Sequence, residues 1–264
     1  EIVQQKEEIM SQRDEIGQQK EEIEAQRDLA TKQRDEIGKQ KKDMTDSILY
    51  AKRIQTALLP RDTIFSAHFK DYFVIYKPKD IVSGDFYWIK KFENNLIIAV
   101  GDCTGHGVPG AFMSLLGTAF LTEIVTRREI TQTGEVLNEL RKEIISSLKQ
   151  DNQDDTSKDG IDIAICCYDL NSKVIQFSGA YNSLYLIRKD ENNNFQLTEF
   201  FGDKMPIGIY FGVEQEFTNQ DIQIQENDRI YLLTDGFYDQ IDNINSQKYM
   251  KSTLKAKLVE IQQF

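Results

Sequence analysis

Leu96-Ile97-Ile98-Ala99-Val100-Gly101-Asp102-Cys103-Thr104-Gly105-His106-Gly107 decides the fold, because five successive apolar residues run into a bare carboxylate flanked by glycine. A strand apolar on both faces belongs to a sheet covered on both sides. Two other apolar runs carry the same mark. Upstream stands Ser83-Gly84-Asp85-Phe86-Tyr87-Trp88, and downstream Thr234-Asp235-Gly236 closes Ile230-Tyr231-Leu232-Leu233. An ionised carboxylate leaving water needs a partner, and clustered carboxylates repel. A bound divalent cation relieves both costs, and hard ions such as Mg²⁺ and Mn²⁺ take oxygen ligands. The three motifs together point to a metal-dependent hydrolytic site.

A two-residue hairpin loop at Glu93-Asn94 would pair Phe92 with Asn95 and set Asp85 directly opposite Asp102. A loop at Asn94-Asn95, the better turn sequence, would make Asp102 the diagonal neighbour on the same face. Opposite Cβ atoms lie about 4.5–5.5 Å apart and diagonal ones about 7–8 Å. Either register lets one or two ions bridge the pair, whereas an odd-length loop would send the carboxylates to opposite faces. Gly105 and Gly107 free the backbone after Asp102, either to turn the Cys103 carbonyl toward a metal or merely to make a tight strand-to-helix turn. The helix starting near Val108-Pro109-Gly110 has proline in its first turn and an N-terminus that favours an anion. An Asp-Gly after a strand, as at Asp235, is by itself a turn signal. Beside the other two motifs it reads as a ligand.

Outward from this centre, short apolar runs predict strands at Tyr72–Lys77, Asp85–Lys91, Leu96–Asp102, Ile161–Tyr168, Val174–Gly179, Ser183–Arg188, Phe195–Phe200 and Arg229–Thr234. Helical spacing covers Gly107–Arg128, Gly134–Lys149 and about Lys248–Gln263, and the polar stretch Gln150–Gly160 reads as a mobile loop. The class is α+β: two packed antiparallel sheets flanked by helices.

Residues 1–46 are a different kind of chain. Ile2, Ile9, Ile16, Ile23, Ala30, Ile37 and Met44 fall seven apart, half of a coiled-coil seam. The other half is polar, with glutamines from Gln5 to Gln40 followed by Lys or Arg. Gly17 and Gly38 weaken the helix by about 1 kcal/mol each relative to Ala. A solvated single helix is one reading; the favoured one is a parallel dimer whose packing can change, suited to a signalling stalk. Residues 47–60 become amphipathic, end at Pro60 and read as a coupling helix docked on the domain at 61–264. The chain opens at Glu1 within the repeat and is expected to be a piece of a larger protein.

Composition narrows the function classes. A net charge of −11 argues against nucleic-acid and anionic-membrane partners. No unbroken run of about 18 apolar residues exists, so no bilayer-spanning helix and no membrane contact by this piece are expected. Cys103, Cys166 and Cys167 lack metal-ligand spacing and suit a reducing cytoplasm, although an upstream domain could anchor the whole protein to a membrane. Cys166 and Cys167 read as core residues, with no anion-cradling loop of a cysteine phosphatase after them. His68 reads as a surface residue. Ser83-Gly84-Asp85-Phe86 is superficially similar to a nucleotide-cyclase hairpin but lacks its Glu.

Taken together, Ser83–Trp88, Gly101–Pro109 and Leu233–Gly236 resemble the metal-dependent serine/threonine phosphatases of the protein phosphatase 2C (PPM) type, in the bacterial SpoIIE/RsbU-like branch. Ser178-Gly179-Ala180-Tyr181-Asn182, Pro206-Ile207-Gly208 and Ala57-Leu58-Leu59-Pro60 resemble further segments of that branch. The resemblance covers about residues 48–264. It implies an α/β-β/α sandwich and hydrolysis of phosphoserine or phosphothreonine by a water activated between two Mn²⁺ or Mg²⁺ ions. Asp102 matches the bridging ligand, with Cys103 giving its backbone carbonyl; Asp85 matches an acidic residue of the same centre and Asp235 a ligand of the second ion. His106 would either protonate the leaving group or simply be oriented by its loop. The implied substrate is a phosphorylated, anti-anti-sigma-like regulator, and the implied control is a dimeric linker, residues 1–60, from an upstream sensor. Two departures stand out. The family's sheet ends with a further strand carrying another ligand, and this sequence stops before one, so the domain is expected to be C-terminally incomplete. Cys103 also replaces a small or apolar residue. The alternative is a catalytically inactive phosphatase-like module that binds or transmits a signal.

Overall fold

The computed structural model describes residues 1–150, 159–210, 212, 215–241 and 248–263. The expected mobile loop lies mostly outside them. The chain forms two compact units, Glu1–Ala51 and Lys52–Phe264, so the boundary falls inside the segment read as a coupling helix.

Helix α1 (Ile2–Leu58) accounts for the first unit and stops just before Pro60, which cannot continue a helix. Ile9, Ile16 and Ile23 each stay 64% exposed, so the heptad seam is uncovered in the single chain. The short helix α2 (Asp62–Ser66) follows.

The second unit is layered. Strands β1 (Phe86–Phe92), β2 (Asn95–Cys103), β3 (Ile161–Asp169), β4 (Val174–Ala180) and β7 (Gln220–Gln223) form one antiparallel sheet, in that order. Strands β5 (Leu184–Lys189), β6 (Phe195–Phe200) and β8 (Arg229–Leu232) form a second, in the order β6-β5-β8. Helices α3 (Gly107–Thr126) and α4 (Thr133–Ser147) cover the outer face of the first sheet. Helix α5 (Lys251–Glu260), ending in a 3₁₀ turn (Ile261–Gln263), covers the second through Leu254 and Leu258 against Ile187.

The period of two along each strand sorts the core. Ile161, Ile163, Ile165 and Cys167 face the helices, whereas Ala164 and Cys166 face the second sheet with Phe177, Leu184 and Leu186. Burial pushes the Cys166 and Cys167 thiols up to about 12 and about 11, which keeps them as protonated core groups.

Expectations about the strands and about His68 are corrected. Tyr72–Lys77 forms no strand: β1 and β8 are sheet edges, and the segment joins the ladder of neither. Side chains anchor it instead: Tyr72 stacks on Phe65, Phe73 meets Tyr231, and Tyr76 meets Tyr87. Strand β7 was not anticipated, since it is short and its only fully buried residue is Ile222. Gly107–Thr126 is long and apolar enough, by length and composition, to cross a membrane. Here it packs on α4 and on β1, where the Trp88 indole N–H donates to Thr122 Oγ1 at 3.0 Å. His68 is half-buried rather than on the open surface.

The end of α1 is tied to the site by Gln55, which is buried. Its Nε2 donates to the Ser83 carbonyl at 2.6 Å and to Ser114 Oγ at 2.8 Å, while its Oε1 accepts from the Ser83 N–H at 3.1 Å. Both backbone groups of Ser83, two residues before Asp85, thus pair with one amide, and the carbonyl also accepts from Ser114 Oγ at 3.3 Å. Replacing the amide leaves buried polar groups unmatched. Gln55→Ala is expected to lower the unfolding free energy by about 1–3 kcal/mol in urea melts; an unchanged midpoint would show the amide to be dispensable.

Candidate metal centre

The hairpin register sums to 187, from Phe86 opposite Gly101 to Phe92 opposite Asn95. The loop is therefore Glu93-Asn94, with Glu93 at φ 51, and continuing the register by one step sets Asp85 opposite Asp102. On the other edge of β2, Asp102 stands opposite Asp162 of β3. Because Ala164 and Cys166 face the second sheet, so does Asp162, and the three aspartates form a row across three adjacent strands. The row lies between the sheets, at the end where apolar filling stops.

The second sheet supplies the fourth carboxylate. Past β8, Thr234 Oγ1 donates to Asp85 Oδ2 at 3.2 Å, and Asp235 follows at an exposed turn. Asp102 lies within hydrogen-bonding reach of both Asp85 and Asp235. The structure thus brings together all three aspartates singled out by sequence.

Electrostatics record the crowding. Burial first, and then the charge on Asp85, pushes the Asp102 carboxyl up to about 8. Burial also raises Asp85, against lowering hydrogen bonds from Asp102 and Thr234. Asp162 is pushed up to about 6 by burial and then by Asp235. Among the described residues no three His, Cys, Asp or Glu side chains are spaced as a complete ligand set. Burial and mutual repulsion shift Asp85, Asp102 and Asp162 toward their protonated forms. An all-oxygen donor set of this kind fits a hard divalent cation, which would displace those protons.

The remaining expectations divide. The Cys103 side chain is buried in the helix-side core, and burial followed by the Asp102 charge pushes its thiol well up. Its carbonyl lies against Gly84, where a β-carbon would come within 3.1 Å of the oxygen, so the carbonyl is turned toward the Asp85 segment. The His106 side chain is 82% exposed, and its Nδ1 sits 3.0 Å from Asp80 Oδ2. No described contact joins it to the carboxylate row. Asp162 went unrecognised in the sequence. Its one signal was a carboxylate breaking the apolar run Ile161–Cys167, and only the β2–β3 register connects it to Asp102.

A sandwich of two antiparallel sheets with helices on both outer faces, and carboxylates gathered between the sheets, defines a PP2C-type serine phosphatase domain. The SiaA-PP2C domain of Pseudomonas aeruginosa shares this fold with a TM-score of 0.72 and 28% identity, over 83% of each chain. Residues 93–263 match the family described as Stage II sporulation protein E (SpoIIE), and the chain belongs to that family. Two structures resemble it in fold alone. The SpoIIE phosphatase domain with a regulatory fragment from Bacillus subtilis has a TM-score of 0.51 and 19% identity, over 67% of this chain and 46% of that one. The RsbU and RsbW domains of Rv1364c from Mycobacterium tuberculosis have 0.52 and 17%, over 69% and 46%. A comparison with curated proteins finds no match.

The raised carboxyls carry a pH signature. Asp102 and Asp162 titrate near 8 and near 6 when folded, against 3.8 ordinarily, so the folded chain holds protons that the unfolded chain releases. Their contribution is complete below about pH 4 and is lost as pH rises through about 6 and then about 8. Melting of the EDTA-treated chain should therefore fall in temperature from about pH 5 to about pH 8, and Asp102→Asn should shrink that fall. A melting temperature that holds steady or rises across this window would contradict the crowded row.

Proposed function

We propose that this chain is a metal-dependent serine/threonine protein phosphatase acting on a phosphorylated bacterial signalling regulator of the anti-anti-sigma-like kind. The observation carrying this reading is the convergence of Asp85 and Asp102 from one sheet with Asp235 from the other. Asp85, Asp102, Asp235 and the Cys103 carbonyl would hold two Mn²⁺ or Mg²⁺ ions, and Asp162 adds a fourth carboxylate to the same space. Such ions, when bound, supply Lewis-acid stabilisation of phosphoryl charge and lower the pKa of water. The chain's part is to hold the carboxylates at fixed strand positions and to keep their charge high at one spot. Gln55 and Ser114 fix the backbone just before Asp85, so the aspartate enters the cluster from a braced segment. His106, exposed and paired with Asp80, is not assigned a proton-transfer role.

Control by a dimeric linker is part of the proposal. The uncovered seam of α1 supports it, as does the Gln55 brace between the end of that helix and Ser83. The chain should sediment at twice its monomer mass of 30.6 kDa, and Ile16→Lys with Ile23→Lys should restore the monomer mass. A wild-type chain sedimenting as a monomer would remove the dimeric linker from the proposal.

Metal titration with a phosphoserine peptide tests the chemistry. Activity should require Mn²⁺ or Mg²⁺, and Asp102→Asn should lose on the order of 100-fold or more in kcat/KM while melting as a folded protein. Unchanged turnover in the variant would refute the role of Asp102. The second reading is an inactive phosphoprotein-binding module. Phosphopeptide binding without Mn²⁺-dependent turnover would establish it.

A further inference from the structure

Tyr181 occupies a backbone position that its own side chain does not favour. At the end of β4 it has φ 56, in the left-handed region, where a β-carbon costs about 1 kcal/mol or more. The turn around it is strongly held. The Tyr181 N–H donates to the Asp203 carbonyl and the Asp203 N–H to the Gly179 carbonyl, each at 2.8 Å. Gly179 and Gly202 pack so closely on the Asn182 carbonyl that a β-carbon on either would collide with it. Asn182 Nδ2 in turn donates to the Asp162 carbonyl at 3.0 Å, fastening the turn to the carboxylate row. Yet the ring held at this cost is 47% exposed, so core packing does not explain it.

The ring lines a cleft of about 570 Å³ together with Ser183, Phe201, Gly202, Lys204 and Lys251. Phe201 is 65% exposed. Lys204 has no carboxylate at ion-pair distance among the described residues. Lys251 lies 2.8 Å from Glu199, and Lys255 pairs with the same carboxylate, so two ammonium groups share one buried anion. The cleft is therefore locally cationic on a chain of net charge −11. It adjoins the metal centre: Asn182, between the cleft residues Tyr181 and Ser183, is the residue that donates to the Asp162 carbonyl.

We propose that this cleft binds the acidic stretch of polypeptide flanking the phosphorylated residue. Apolar side chains of the substrate lie on Tyr181 and Phe201, and its carboxylates face Lys204 and Lys251. The proposal rests on the phosphatase reading of the carboxylate row and adds a substrate preference to it. The left-handed turn at Tyr181 sets an aromatic ring in the cleft beside the carboxylate row.

The test uses the whole chain with Mn²⁺ and peptides carrying a non-hydrolysable phosphonate in place of phosphoserine, flanked either by Asp and Glu or by Lys. Fluorescence anisotropy should show the acidic-flanked peptide binding on the order of tenfold more tightly at low salt, with the difference shrinking as salt is added. Lys204→Glu should abolish that preference. Tyr181→Gly should weaken both peptides about five- to tenfold while melting at the same or a higher temperature, because glycine accepts the left-handed backbone. Turnover of p-nitrophenyl phosphate, which has no flanking chain, should stay unchanged in both variants. Equal affinity for the two peptides, binding of neither, or wild-type affinity in both variants would overturn the cleft's role. Absence of Mn²⁺-dependent p-nitrophenyl phosphate turnover in the parent chain, with flank-selective binding intact, would instead count against the phosphatase reading alone.

Discussion

Repulsion among carboxylates held at fixed positions between two sheets is the constraint on which the rest of the domain depends. Asp85, Asp102 and Asp162 stand on neighbouring strands of one sheet, and Asp235 comes to them from the other. Strand pairing fixes the spacing of Asp102 and Asp162, and Asp85 lies one residue before β1, where the hairpin register carries it opposite Asp102. Their charge must be met by protons or by cations. The elevation of Asp102 to about 8 is the proton answer. A divalent ion is the other, and that exchange links metal binding to both stability and pH.

Rigidity around this row is distributed over three braces. Gln55 holds both backbone groups of Ser83 and reaches Ser114 on α3. Asn182 holds the backbone of Asp162, and Thr234 reaches Asp85 from the second sheet. Each brace comes from a different element, so the centre exists only when the linker end, both sheets and α3 are assembled. The polar cluster of Thr133, Ser178 and Asn219 plays the same structural part at the start of α4, away from the carboxylates. Function-bearing and purely structural polar networks are thus both present. What separates them is charge: the structural one is neutral and satisfied, and the other crowds carboxyls together.

Most strands were legible because burial imposes a period of two, or continuous apolarity, that local sequence displays. The two-residue hairpin loop was legible only as one of two choices. The observed loop puts Glu93 in the left-handed region, against the turn preference of Asn94-Asn95, because the strand cores on either side set the register. Tyr72–Lys77 shows the opposite failure. Its residues have strand character, but strand structure is a property of a pair, and no described strand lies beside it. Strand β7 was missed because four residues on an edge carry too little pattern.

By itself the sequence determined that three apolar runs end in aspartates, that Asp85 and Asp102 share a face, and that a heptad-patterned helix precedes the domain. These follow from chain-local periodicity and from the arithmetic of one hairpin. Only tertiary structure decided that Asp162 joins them, that His106 turns to Asp80, and that Tyr181 is held left-handed over a lysine-lined cleft. Those relations join residues tens of positions apart through strand pairing and turn packing. Such distances are created by folding and leave no periodic trace along the chain.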